Sequence, residues 1–154
     1  MRRARAGDLA DVALLAGEHA AYENAAPPPV DLAERLAALL FGAREPRLRC
    51  FVAELGDASG GGELIGYATC APEISTWDGA EYLHMDCLFL REGCRGLKVG
   101  ERLVQAVVDE ARELGLGQVQ WQTPPWNTGA IRFYDRLGAR AKEKLRYQLS
   151  VAVS

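Results

Sequence analysis

Apolar residues recur along this chain first at helical spacing and then in short runs bounded by turn residues. Leu9, Val12, Ala13, Leu15 and Ala16 follow one another at three- and four-residue intervals, which predicts a helix over residues 8–22 with Asp8 as its N-cap. Pro27-Pro28-Pro29 breaks the chain, and Asp31 caps a second helix with Leu32, Leu36, Leu39 and Leu40 on one face. Met1–Arg5 reads as a short edge strand. Arg49–Leu55 and Glu63–Cys70 read as two strands of a β-hairpin, joined by the glycine-rich Gly56–Gly62 as a loose tip. Glu81–Leu90 is a third strand, and its mostly apolar centre, Met85 to Leu90, predicts a central position covered on both faces. Gly93-Cys94-Arg95-Gly96 turns the chain into a long helix, Lys98–Leu114, with Val99, Leu103, Val104, Val107, Val108 and Ala111 inward; Gly115 and Gly117 end it. A strand over Gln118–Thr123 is stopped by Pro124-Pro125. A short helix over Thr128–Leu137 closes at Gly138, and Leu145–Val151 forms a last strand. The order β-α-α-β-β-β-α-β-α-β joins a hairpin to a βαβ unit, so the sheet is mixed and the class is α/β (α+β).

Length adds a single domain over residues 1–154, with room for a real core. Hydrophobic residues at 49% and charged ones at 25% fit a soluble protein. No apolar run nears the ~20 residues of a membrane span, and the basic start, Met1 to Arg5, lacks a signal peptide's apolar stretch, so a cytoplasmic location without membrane contact is expected. The formal charge is -3 with basic residues dispersed, which argues against a nucleic-acid partner. Cys50, Cys70, Cys87 and Cys94 show no CxxC pair. They read as reduced thiols, the first three within strands, and no metal site is expected; His19 and His84 stand too isolated to change that.

The segment Arg91 to Leu103 carries the most information. A strand ends, a glycine-containing loop turns, and a long helix begins, where unpaired N–H groups and the macrodipole favour an anion. Gly96 and Gly100 permit close approach, and Arg95 and Lys98 add charge suited to a pyrophosphate. Neither the P-loop order nor GxGxxG is present. On its own such a loop is equally at home in α/β proteins that bind nothing there.

Arg95-Gly96-Leu97-Lys98-Val99-Gly100 resembles the R-x-x-G-x-G/A acyl-CoA loop of the GNAT superfamily of N-acetyltransferases. A second block, N-x-x-A-x-x-F-Y-x-x-x-G, is matched at Asn127, Ala130, Phe133, Tyr134 and Gly138. The resemblance covers nearly the whole chain, is strongest over 81–139, and lies nearest the diamine and thialysine N-acetyltransferase branch. It implies a mixed, twisted sheet of six to seven strands flanked by four helices. It also implies acetyl-CoA as co-substrate, a small-molecule primary amine (polyamine, amino-acid-like or aminoglycoside-like) as acceptor, and a homodimer. Lys98 stands where the family usually has glycine, which puts the loop's conformation in question because lysine adopts positive φ poorly.

The resemblance also implies roles. Leu88, Phe89 and Leu90 offer main-chain groups to the pantetheine arm. Arg95, Gly96, Leu97, Lys98, Val99 and Gly100 hold the diphosphate. Asn127 reaches the CoA arm or caps the following helix, and Phe133 packs beside it. Tyr134 protonates the departing thiolate, its phenol being neutral near pH 7. Asp86 is the expected general base, acting through water, with His84 as rival two residues away on the same face. A structural hydrogen bond is the plain alternative for each. Tyr22, Glu23, Trp77 and Glu81, with Glu73 and Asp78 nearby, supply acidic groups and aromatic faces suited to an ammonium. Two other readings stay open: acetylation of a protein or peptide amine, and a non-catalytic acyl-CoA-binding regulatory module.

Overall fold

The elements of the computed structural model, which describes residues 1–56 and 61–153, are β1 (Arg2–Arg3), α1 (Leu9–Tyr22), α2 (Leu32–Phe41), β2 (Arg49–Gly56), β3 (Gly62–Ser75), β4 (Ala80–Leu90), α3 (Val99–Glu113), β5 (Val119–Gln120) and α4 (Thr128–Arg136). The predicted glycine-rich tip falls partly on residues 57–60, outside the described residues. The chain divides into two compact units, residues 1–122 and 123–154.

The first unit holds a five-stranded sheet in the order β1-β2-β3-β4-β5, antiparallel except for the parallel pair β4 and β5. The mixed α+β class follows as expected, with five strands instead of six or seven. The central strand is β3, not β4: residues 64–70 of β3 are all buried, whereas β4 lies one strand from the edge and alternates. β5 covers two residues only, shorter than Gln118–Thr123, and it touches β4 through Leu83↔Val119 and His84↔Gln120.

Two apolar layers flank the sheet. Leu9, Val12 and Leu15 of α1 and Leu40 of α2 pack with Cys50, Val52, Leu64, Tyr67 and Phe89 on one face. Leu103, Val107 and Ala111 of α3 pack with Phe51, Ala53, Ile65, Ala68, Cys70, Leu83 and Met85 on the other. Burial of this kind is worth about 25 cal/mol per Å² of apolar surface, so these two layers supply most of the fold's drive. Glu110, 4% exposed, joins α3 to the sheet by accepting from Arg49 Nε of β2 at 2.8 Å and from Arg3 of β1. Burial pushes the Cys50 and Cys70 thiols up to about 12, in keeping with inert core cysteines.

The two expected aspartate caps do other work. Asp8 takes the Arg2 guanidinium at 2.6 and 2.9 Å and the Arg5 N–H at 2.6 Å, leaving no side-chain cap on α1. Asp31 accepts from Arg35 Nε at 2.9 Å instead of capping α2. A guanidinium within reach outcompetes a neutral amide for a carboxylate, because both partners carry full charge.

In the second unit, Asn127 does cap α4: its Oδ1 accepts from the Ala130 N–H at 3.2 Å. Gly138, at φ 82, closes the helix. The predicted strand over 145–151 does not form. Leu145, Tyr147, Leu149 and Val151 keep their alternation but lie 75–87% exposed, with no ladder partner among the described residues.

Candidate active site

A register shift in β4 shapes the centre of the candidate site. Thr69 pairs with Cys87 and Cys70 with Met85, so Asp86 is the extra residue of a β-bulge. The bulge reverses the side-chain alternation. Leu83 and Met85 before it, and Leu88 and Leu90 after it, all face the α3 layer, while Phe89 faces α1. Asp86 is thereby turned out of the core, its side chain 61% exposed, contrary to a carboxylate enclosed in an apolar strand. His84 is held beside it, Nε2 to Oδ1 3.8 Å, and is much less exposed. The Cys87 thiol lies 3.6 Å from Asp86 Oδ2, and burial pushes that thiol up to about 11. The expectation that Asp86 and His84 share a face therefore holds in the geometry.

Beyond His84, β4 and β5 part. Residues Met85 to Leu90 have β3 on one side and no ladder partner on the other among the described residues. In an antiparallel edge strand, alternate N–H and C=O groups on the free side stay available to an extended ligand. Leu88, Phe89 and Leu90 lie on this stretch. Gly66 lets β3 approach it closely, since a Cβ there would meet the Phe89 carbonyl oxygen at 2.7 Å.

The loop after Leu90 is anchored at one end. Arg91 donates to both Glu18 oxygens, at 2.9 and 2.7 Å, to Glu63 and to the Leu64 carbonyl. The Arg91 guanidinium holds the Glu18 carboxyl below the usual range. A 3-10 turn over Glu92–Cys94 follows, then Arg95 in extended conformation, Gly96 at φ 84 and Lys98 at φ 58, ψ 11. Lys98 thus adopts the left-handed conformation that glycine takes most readily, and it does so as the N-cap of α3. Leu97 is exposed, and Val99 and Gly100 open the helix, whose first N–H groups lack intrahelical acceptors. Arg95 places its guanidinium over the Tyr22 ring, 4.9 Å from the centroid, and its Nε donates to the Leu90 carbonyl at 3.3 Å.

One residue dismissed from the sequence proves central to this wall. His19 Nδ1 lies 3.1 Å from the Tyr67 hydroxyl and Nε2 lies 3.2 Å from Glu23 Oε1, while the ring stacks on Phe89 at 5.2 Å. The signal was available: His19 falls four residues after Leu15 and three after Ala16, so it continues the buried stripe of α1.

The four residues expected to meet the acceptor are not brought together. Tyr22 ends α1 beneath the Arg95 guanidinium, and Glu23, the C-cap of that helix, lies against His19. Glu81 and Trp77 belong to the far end of β4 and the turn before it, with Glu81 nine residues, or about 30 Å along the strand, from Leu90. Glu73 accepts from the Tyr82 hydroxyl at 2.7 Å, and Asp78 closes its own turn with Ser75. In the second unit Phe133 and Tyr134 are adjacent on α4, both half-buried, with ring centroids 5.3 Å apart. Among the described residues no three His, Cys, Asp or Glu side chains converge as a metal set would, and no helix is long and apolar enough to cross a membrane.

Similar proteins agree with this architecture. A solved structure described as a probable acetyltransferase superposes with a TM-score of 0.78 at 21% identity, covering 100% of both chains. A transcriptional regulator from Bacillus halodurans gives 0.77 at 22% identity, covering 96% of this chain and 97% of its own. At these identities the likeness speaks for the fold. A thialysine N-epsilon-acetyltransferase of Caenorhabditis elegans is 34% identical over 85 residues, 55% of this chain and 49% of that protein. An L-ornithine N5-acetyltransferase of Arabidopsis thaliana is 31% identical over 83 residues, 54% of this chain and 36% of that protein. The chain thus matches about half or less of the length of these relatives. The acetyltransferase (GNAT) family model matches residues 15–139, which includes both motif blocks, and the chain belongs to that family.

Proposed function

We propose that this chain is an acetyl-CoA-dependent N-acetyltransferase that acts on a primary amine of a small molecule, of polyamine, amino-acid-like or aminoglycoside-like type. The observation that carries the reading is the parting of β4 and β5 after His84, which leaves the Met85–Leu90 edge open directly before the Arg95–Gly100 loop. An open strand edge followed by a cationic helix start fits an extended amide-bearing arm that ends in a diphosphate. The named activities of the thialysine and ornithine relatives support a small amine as acceptor.

Acetyl-CoA supplies an activated thioester carbonyl that a neutral amine can attack directly. Main-chain groups of Leu88, Phe89 and Leu90 orient the arm, and Arg95, Lys98 and the N–H groups opening α3 hold the phosphates, with Gly96, Leu97, Val99 and Gly100 setting the loop's path. Asp86, exposed at the bulge, accepts the proton of the incoming ammonium through water, and His84 beside it completes the acceptor set. As the C–N bond forms and the C–S bond breaks, the nitrogen gives up its second proton to solvent water, and Tyr134, in the role the family resemblance gives it, delivers a proton from its hydroxyl to the sulfur and is reprotonated from solvent. Asn127 and Phe133 shape the arm's other contacts. Glu23, at the end of α1 next to Tyr22, meets the ammonium, and Trp77 and Glu81 meet the acceptor only where it is long. The reading extends, on the family resemblance, to one domain spanning the chain, a homodimer and a cytoplasmic enzyme without metal, membrane or nucleic-acid partners.

The test is thiol release from acetyl-CoA with a panel of amines, alongside calorimetry with CoA. Turnover with a diamine or an amino-acid amine is expected, and Tyr134→Phe should lower kcat by about 100-fold with acetyl-CoA binding retained. Binding without turnover on any amine would leave a non-catalytic module, and absence of CoA binding would remove the reading altogether.

A further inference from the structure

We propose that Tyr22 is a positioning residue for the acyl donor: its ring is the platform that holds Arg95 ready for a phosphate of CoA. The inference rests on the proposed function and moves Tyr22 from the acceptor side, where its aromatic face suggested it, to the donor side. Three observations carry it. The Arg95 guanidinium sits over the Tyr22 ring, 4.9 Å from its centroid. The only other hydrogen bond that fixes it among the described residues runs from Nε to the Leu90 carbonyl, at 3.3 Å. No carboxylate pairs with Arg95 among those residues, whereas Arg91, four positions earlier, is engaged by Glu18 and Glu63.

The contrast separates two kinds of arginine. Arg91 has its charge balanced and acts as a clamp between β4, β3 and α1. Arg95 has no carboxylate partner among the described residues and lies over the ring of Tyr22. A stacked guanidinium presents its N–H groups at the edge, free for the paired hydrogen bonds that a phosphate takes. The freedom that a long side chain would lose on binding is therefore lost in advance.

The platform is itself held. Tyr22 is the last residue of α1, and that end is pinned by His19 against Tyr67 and Phe89 and by Glu18 on Arg91. Phe89 and Leu90 belong to the strand expected to carry the pantetheine, so Arg95, its platform and the arm's binding edge are joined by direct contacts.

The experiment measures acetyl-CoA affinity by calorimetry and steady-state kinetics on the full chain for Tyr22→Leu, Tyr22→Gln and Tyr22→Phe, alone and with Arg95→Ala. Loss of the ring should weaken acetyl-CoA binding about fivefold and raise its KM equally, with kcat and the amine's KM unchanged; Tyr22→Phe should stay within about twofold of the unsubstituted protein. With Arg95→Ala already present, removing the ring should add nothing further. The proposal is overturned if Tyr22→Leu and Tyr22→Gln leave acetyl-CoA affinity intact, if the amine's KM rises instead, or if the loss is as large without Arg95. Failure of the unsubstituted protein to bind CoA would be a different result, one that removes the proposed function itself.

Discussion

The ring of His19 is gripped between the hydroxyl of Tyr67, 3.1 Å from Nδ1, and the carboxylate of Glu23, 3.2 Å from Nε2. Tyr67 is 3% exposed, and burial pushes its phenol far above the ordinary value, so it serves as a neutral hydrogen-bonding group. The three side chains fasten the end of α1 to β3 across the layer that contains Phe89. Removing the hydroxyl strands a half-buried histidine nitrogen. Tyr67→Phe is therefore expected to cost about 1–2 kcal/mol, measured by urea unfolding, and to show coupling of about 1 kcal/mol with His19→Ala in a double-mutant cycle. Additive effects of the two substitutions would remove this linkage.

Lys98 holds φ 58 at the start of α3, where a side chain costs about 1–2 kcal/mol relative to glycine. Lys98→Gly should relieve most of that, offset in part by glycine's larger unfolded-state entropy, and raise Tm by about 3 °C. Lys98→Ala should bring no such gain, since alanine meets the same restriction. Equal behaviour of the two variants would show that the loop does not carry strain at this position.

Glu110 is nearly fully buried between Arg49 and Arg3. Its removal leaves Arg49, whose side chain is 12% exposed, without its counter-charge. Glu110→Ala is expected to destabilise by about 3 kcal/mol and lower Tm by about 6–12 °C in a thermal melt. A loss under 1 kcal/mol would mean that water reaches the arginine and replaces the carboxylate.

Acid should loosen the N-terminal region first. The Arg2 guanidinium holds the Asp8 carboxyl below its ordinary value, and Arg91 does the same to Glu18. Folded-state values lower than the unfolded ones mean that this stability is fully present above about pH 4 and is lost as pH falls through the folded-state values. Asp8→Asn should therefore flatten the stability profile below about pH 4 while lowering the plateau at pH 7 by about 1 kcal/mol. An unchanged acid limb in that variant would assign the transition to other carboxylates.

Asp86 and His84, 3.8 Å apart, can be separated by kinetics. With Asp86 as base, Asp86→Asn should lower kcat by about 100-fold or more, and His84→Gln by roughly tenfold. The reverse order would make His84 the base.

Much of this protein was legible from periodicity. The helical stripe of α1, the long α3 and the strands β2 to β4 were all readable, because apolar spacing and secondary structure share one geometric cause. The two motif blocks identified the family, since glycines, an arginine and an Asn…Phe-Tyr spacing are local properties of the chain. What spacing could not supply was partners. Leu145 to Val151 alternates as well as any strand here, yet it has no ladder partner among the described residues, and a strand needs one for its N–H and C=O groups. Asp8 and Asp31 have the right chemistry for caps, but the guanidinium groups of Arg2 and Arg35 claimed them. The bulge at Asp86 exists only as a mismatch between two strands, so the exposure of that carboxylate was decided by pairing register. Tyr22 met Arg95, seventy-three residues away, by the same rule: local spacing says which groups a chain has to offer, and packing across the fold selects the pairs that touch.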